Sequence, residues 1–173
     1  MNELLKVGEN APDFTLPSHV GENAGDAEDE ITLSDQRGKN VILVFYPADW
    51  SQVCGDQLSL YNELLPMFEK ENAVLFGVSV DGQFCHGAFR DARGYKMTLL
   101  SDFEPKGAVA KQYGVYRDED GFTERALFVI DKTGVIRYSY VSPIGVNPGA
   151  KEILDTLKEI QSGEKEQGEK QNA

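Results

Sequence analysis

Cysteine is scarce in this chain: it occurs twice in 173 residues, as Cys54 and Cys85. Two cysteines are too few for the disulfide framework of a small secreted domain, and their separation matches no zinc-ligand spacing, so no metal site is read here. Long apolar runs are missing too. None approaches the roughly 20 residues that cross a bilayer. The opening MNELLKVGENAPDF lacks the basic-then-apolar order of a secretory signal, so none is expected. Positive charge is short, with 17 Lys+Arg against 29 Asp+Glu and a net charge of −12. Such a surface repels phosphate backbones and anionic membranes, so neither is an expected partner. Part of the excess is local: residues 22–30 hold five acids and no base, the pattern of a solvated loop. With so little cysteine, a reducing cytoplasmic setting is the expectation, where a cysteine is either a small buried residue or a reactive one.

What is present suits one domain of ordinary size, since 40% of the residues are hydrophobic. No internal repeat is found. Residues 163–173 (GEKEQGEKQNA) hold no apolar residue except the last alanine, so the domain is expected over residues 1–162 with a disordered polar tail after it. Residues 40–46 (NVILVFY) and 73–80 (AVLFGVSV) are continuous β-forming runs of the kind buried on both faces of a sheet. Between them Val53, Leu58, Tyr61, Leu64, Leu65 and Phe68 recur at helical spacing. A β-α-β unit with parallel strands follows. Pro66 is expected to kink or split that helix.

A second helix is predicted over residues 82–93, then an extended TLLSD. A short helix over residues 105–112 is opened by Pro105. Residues 125–131 and 135–141, joined by Lys132-Thr133-Gly134, read as an antiparallel hairpin. A last helix opens at Asn147-Pro148 and runs to about Ile160. This order gives an α/β chain with a central mixed sheet flanked by helices. It is the thioredoxin fold, with an N-terminal β extension from the DFTL and EITL segments.

After the first buried strand the chain reads PADWSQVC, residues 47–54. Ligands of open α/β sheets bind beyond the carboxyl ends of the strands, and Cys54 falls there, at a helix start. Unpaired N–H groups and the helix dipole favour a thiolate, which is the nucleophilic form of sulfur. Ser51, three residues earlier, can share a face with Cys54 and offer its hydroxyl. Pro47 brings a rigid ring and no N–H, a shield at the pocket mouth. Tyr46 and Trp50 are read as pocket walls or dimer contacts. His86 is a candidate for a structural role or an aid to Cys85.

These eight residues resemble the peroxiredoxin active-site pattern Pro-x-x-x-Thr/Ser-x-x-Cys. The segments VGENAPDFTLP, FYPADW, GVSVD, LLSD, YGVY and ERALFVIDKTGVIRYSYV look similar to the same family, and the resemblance covers roughly residues 5 to 160. It implies a thiol-dependent peroxidase of the alkyl hydroperoxide reductase/thiol-specific antioxidant type. Cys54 is then oxidised by hydrogen peroxide or an organic hydroperoxide to a sulfenic acid, and Arg125 completes the pocket. It further implies a thioredoxin-like or other thiol reductant, assembly as a homodimer or higher homo-oligomer, and no metal, flavin or haem. Ser51 stands where threonine is commoner, and Gln57 where many members carry glutamate. The C-terminal second cysteine of typical two-cysteine members is absent, and Cys85 is the candidate resolving cysteine. A thiol–disulfide oxidoreductase is a rival, although it would carry cysteines as Cys-x-x-Cys. A non-enzymatic redox sensor or holdase is the other.

Overall fold

The core is organised by strand alternation in a computed structural model that describes residues 3–21 and 29–171. In β3 (Asn40–Phe45) every residue is buried. Val41, Leu43 and Phe45 face one apolar cluster, and Ile42 and Val44 face the other. The strand β8 (Arg125–Ile130) divides the same way, with Ala126, Phe128 and Ile130 on one side and Leu127 and Val129 on the other. Period-two placement on two apolar faces is what a strand sandwiched between helical layers requires.

The five-stranded sheet has the order β5-β4-β3-β8-β9. The strand β4 (Ala73–Ser79) pairs parallel with β3, and β5 (Thr98–Ser101) parallel with β4. The strand β8 pairs antiparallel with β3, and β9 (Ile136–Ser142) antiparallel with β8. The mixed sheet, the hairpin and the thioredoxin arrangement are as the sequence predicts. On one face lie α1 (Gln52–Lys70), α2 (Gln83–Arg93) and α4 (Lys151–Gln171), through Leu58, Tyr61, Phe68, Phe89, Ile153 and Leu157. On the other lie α3 (Ala108–Gln112) and the N-terminal extension, a hairpin of β1 (Thr15–Pro17) and β2 (Glu30–Thr32).

Several boundaries differ from expectation. Pro66 does not split α1, which runs unbroken through it. The buried side chains on both sides of the proline, Tyr61 and Phe68, hold the helix to the sheet. The short helix starts at Ala108, not at Pro105, because Gly107 takes the left-handed conformation (φ 70°) just before it. The last helix begins at Lys151 and continues to Gln171, past Ile160 and through most of the segment expected to be a disordered tail. Glu164 there meets Lys132 of the β8–β9 turn at 3.0 Å, and the segment is rich in the helix formers Glu, Lys and Gln. A small hairpin, β6 (Tyr116–Arg117) with β7 (Phe122–Thr123), was not expected at all. The acidic run 22–30 lies, but for its last two residues, outside the described residues.

The N-terminal segment also packs on α2. Val20 donates its N–H to the Gln83 carbonyl at 3.1 Å, and Gln83 Nε2 donates to the Ser18 carbonyl at 3.0 Å. Backbones approach so closely here that a Cβ on Gly87 would lie 1.8 Å from the Val20 carbonyl oxygen. No Cβ fits at that distance, so α2 needs glycine at this point.

Candidate active site

The connection from β3 to α1 bends sharply at Trp50, whose φ of 68° is unusual for an aromatic residue. The bend delivers Ser51 in extended conformation to the start of α1, where its Oγ accepts from the Cys54 N–H at 3.4 Å. Ser51 is therefore the N-cap, and the sulfur sits in the first turn of a 19-residue helix. The Ser51 hydroxyl proton has no partner among the described residues. Pro47 is buried within the same connection.

Arg125 arrives by sheet register. Phe45 pairs with Ala126, so the preceding residue of β8 lies just beyond the carboxyl end of β3, where the Cys54 helix begins. Arg125 is 2% exposed, and its Nη1 donates to Cys54 Sγ at 3.4 Å. The two residues stand 71 positions apart in the chain. Nη1 also donates to Gln57 Oε1 at 2.8 Å, while Nε and Nη2 both donate to the Ile144 carbonyl, at 2.9 and 2.8 Å. No carboxylate is within ion-pair reach of Arg125 among the described residues. A buried cation held by neutral acceptors and one sulfur is electrostatically incomplete. A thiolate, or an anionic oxygen beside it, would complete it.

Gln57 is oriented in turn. Its Nε2 donates to the Tyr61 hydroxyl at 3.2 Å, which leaves Oε1 facing Arg125. Tyr61 donates to the Gly149 carbonyl at 2.7 Å, and burial pushes its hydroxyl up to about 12. Gln57 thus orients Arg125 where a glutamate was the commoner expectation, and it does so without adding a negative charge beside the sulfur. Its position three residues after Cys54, on one helix face, was the readable signal. The Ile144 carbonyl, on the loop after β9, had none.

Cys54 has no exposed surface in this conformation. A sulfur sealed among apolar groups would speak for a packing role, but this one faces a guanidinium. Cys85 lies in the first turn of α2, partly exposed, and both cysteines are free thiols. Its sulfur and the carboxylates of Asp49 and Asp81 lie within 4.8 Å of one another. Burial, then the negative charge and hydrogen bond of Asp49, then Asp81, push its thiol up to about 11. His86 is turned away into the protein, toward Asp49 and the Leu100 carbonyl.

Comparison with known proteins agrees with this geometry. The family model described as AhpC/TSA matches residues 7–139. Alkyl hydroperoxide reductase E of Mycobacterium bovis is 36% identical over 143 residues, 82% of this chain and 89% of that protein. Peroxiredoxin-1 of Gallus gallus is 35% identical over 166 residues, 92% of this chain and 81% of that one. The crystal structure of reduced 2-Cys peroxiredoxin from Plasmodium vivax superposes with a TM-score of 0.82 at 33% identity, over 92% of this chain and 83% of that one. With its fold, its Cys54–Arg125 pairing and these likenesses taken together, the chain belongs to the AhpC/TSA family of peroxiredoxins.

Proposed function

We propose that this protein is a thiol-dependent peroxidase that reduces hydrogen peroxide and organic hydroperoxides through a sulfenic acid on Cys54. The observation that carries the reading is the 3.4 Å contact between Arg125 Nη1 and Cys54 Sγ, made by a buried guanidinium with no carboxylate partner among the described residues. In the reaction the Cys54 thiolate attacks the terminal oxygen of the hydroperoxide. An S–O bond forms and the O–O bond breaks. The leaving oxygen takes a proton and departs as water or an alcohol, and the sulfur is left as sulfenic acid. Negative charge moves from sulfur to the leaving oxygen. Donors placed beforehand along that path lower the barrier, and here they are the Arg125 guanidinium, the free Ser51 hydroxyl proton and N–H groups of the first turn of α1. Pro47 keeps bulk water from the sulfur. Peroxide enters when the connection 47–51 or the first turn of α1 moves aside, since the sulfur is otherwise covered.

Reduction of the sulfenic acid falls to an outside thiol reductant of the thioredoxin type. Cys85 is the internal candidate, but a thiol raised to about 11 presents little thiolate at neutral pH, and thiolate is the attacking form. Trp50, Phe84 and Phe103 follow the carboxyl ends of the parallel strands β3, β4 and β5, and are 50%, 77% and 59% exposed. Large apolar side chains exposed at one end of the sheet support self-association as at least a dimer. Two free thiols suit a reducing cytoplasm, and among the described residues no helix is long and apolar enough to cross a membrane.

The test is turnover of hydrogen peroxide with a thioredoxin system. Steady consumption that disappears in Cys54→Ser is expected. A single stoichiometric oxidation would instead support a redox sensor.

A further inference from the structure

Asp49 is a hub behind the site. It lies in the connection that carries Pro47 and Ser51, and it is 7% exposed. Its Oδ1 accepts from the Tyr46 hydroxyl at 2.6 Å, and its Oδ2 lies 2.7 Å from His86 Nδ1. Its backbone N–H donates to Asp81 Oδ2 at 2.9 Å. His86 is fully buried on α2, and its second ring nitrogen, Nε2, lies 2.9 Å from the Leu100 carbonyl oxygen of β5.

These distances constrain the protons. A carbonyl oxygen has none to give, so Nε2 must be the donor to Leu100. A neutral imidazole then has no proton left for Nδ1. Yet Nδ1 stands at hydrogen-bonding distance from a carboxylate oxygen, and two lone pairs do not meet at 2.7 Å without a proton between them. The pair therefore holds one proton more than a neutral imidazole beside a bare carboxylate, shared between Nδ1 and Oδ2. Together the two groups are net neutral, which lets them stay dry. The titratable groups around the pair are Tyr46 at the end of β3, Asp81 after β4, Cys85 on α2 and, from the N-terminal segment, His19.

The hub joins the ends of three neighbouring strands to α2 and to the site connection. That connection passes through the strained φ of 68° at Trp50, a conformation that persists only where surrounding contacts enforce it. The Asp49 contacts on the residue before Trp50 supply that enforcement.

We propose that His86 is a positioning residue of the Cys54 site: the proton it shares with Asp49 holds residues 47–51 in the shape that seats the Ser51 cap and the Cys54 sulfur beside Arg125. This rests on Cys54 being the peroxide-reactive thiol. In His86→Gln the side-chain donors sit on one nitrogen and cannot serve Leu100 and Asp49 in opposite directions. The rate constant for Cys54 oxidation by hydrogen peroxide should fall about a hundredfold, the order expected when a reacting group is displaced by about 1 Å. A lower melting temperature with an unchanged rate constant would show a merely structural residue and overturn the proposal. Asp49→Asn should slow the reaction comparably. The double variant should be no slower than the slower single one, because both act through one proton; fully multiplicative losses would overturn the idea.

Should His86→Gln fail to fold, the wild-type protein still decides. The chain has two histidines, so nitrogen-15 histidine spectra are simple to assign. At neutral pH one ring should show a far-downfield proton on Nδ1 coupled to a protonated Nε2. Its absence sinks the shared proton. If wild-type protein and Cys54→Ser react with peroxide equally slowly, the site reading has failed and the positioning role falls with it. A persisting downfield proton in that case shows that the pair was read correctly and the thiol was not.

Discussion

Replacing Arg125 with methionine isolates the guanidinium. The side chain keeps its approximate length and apolar stem and loses every donor. Three losses follow from the structure. The contact to Cys54 Sγ goes, and with it the positive charge that would follow the developing oxyanion. Removing one preorganised donor of this kind costs about 2.7–4 kcal/mol in the barrier, or roughly 10²–10³ in rate. The Ile144 carbonyl loses both its donors, and Gln57 Oε1 loses its only Arg125 contact. The buried Gln57 oxygen left unpaired costs about 1–3 kcal/mol of stability, and the partly buried Ile144 carbonyl less, since water can reach it. Against that, methionine removes a buried cation whose desolvation penalty is several kcal/mol. The stability terms oppose one another, whereas the barrier term stands alone. Arg125→Met should therefore fold with a modest change in melting temperature and oxidise about two to three orders of magnitude more slowly. The chain's single tryptophan, Trp50, sits four residues before Cys54, so stopped-flow fluorescence after mixing with peroxide reads the step directly. A folded Arg125→Met protein that oxidises within about threefold of wild type, less than any donor loss of this class, would refute the electrostatic account of the site.

Gly87→Ala forces a methyl into the Val20 carbonyl oxygen, so α2 and the N-terminal segment must part. A loss of about 1–3 kcal/mol or more is expected from urea melts, with the N-terminal segment exchanging its amide hydrogens faster. His19 is pushed down to about 4 by burial and then by Arg90, from an ordinary 6.5, and its Nδ1 accepts from the Leu99 N–H. The folded state therefore holds it neutral where the unfolded chain protonates it, so its contribution is complete above about 6.5 and lost as pH falls toward 4. His19→Gln, which keeps an acceptor for Leu99, should flatten the stability–pH slope in that window; an unchanged slope contradicts the assignment. Cys85→Ala should retain most turnover with an external thiol reductant. Mass spectrometry of the non-reduced wild-type protein after one equivalent of peroxide should find sulfenic or sulfinic acid on Cys54. A Cys54–Cys85 linked peptide with loss of two hydrogens would instead establish internal resolution.

The elements that local physics decides were legible from residue order. Strands 40–45 and 125–130 announce themselves because a strand buried on both faces must be apolar along nearly its whole length, as it is here after Asn40 and Arg125. Cys54 is legible as a helix-start thiol because helical spacing begins at Val53, just past the end of a buried strand. The unexpected continuation of α4 past Ile160 reflects weak local signals: a polar segment without a core face can still be helical when propensity and an ion pair from a distant turn favour it. The pairing of Cys54 with Arg125 belongs to another level. It depends on β8 lying antiparallel beside β3 in one register, and a slip of one residue would turn the arginine to the opposite face of the sheet. Cys85 shows the same division. Sequence places it at a helix start, where a thiolate is favoured, but only the folded chain brings two carboxylates and partial burial around it and reverses that preference. Residue order by itself marked the candidate groups for the chemistry and the helix or strand that holds each. The fold decided which of them meet, because charge and distance across the sheet are set by long-range pairing that no local window contains.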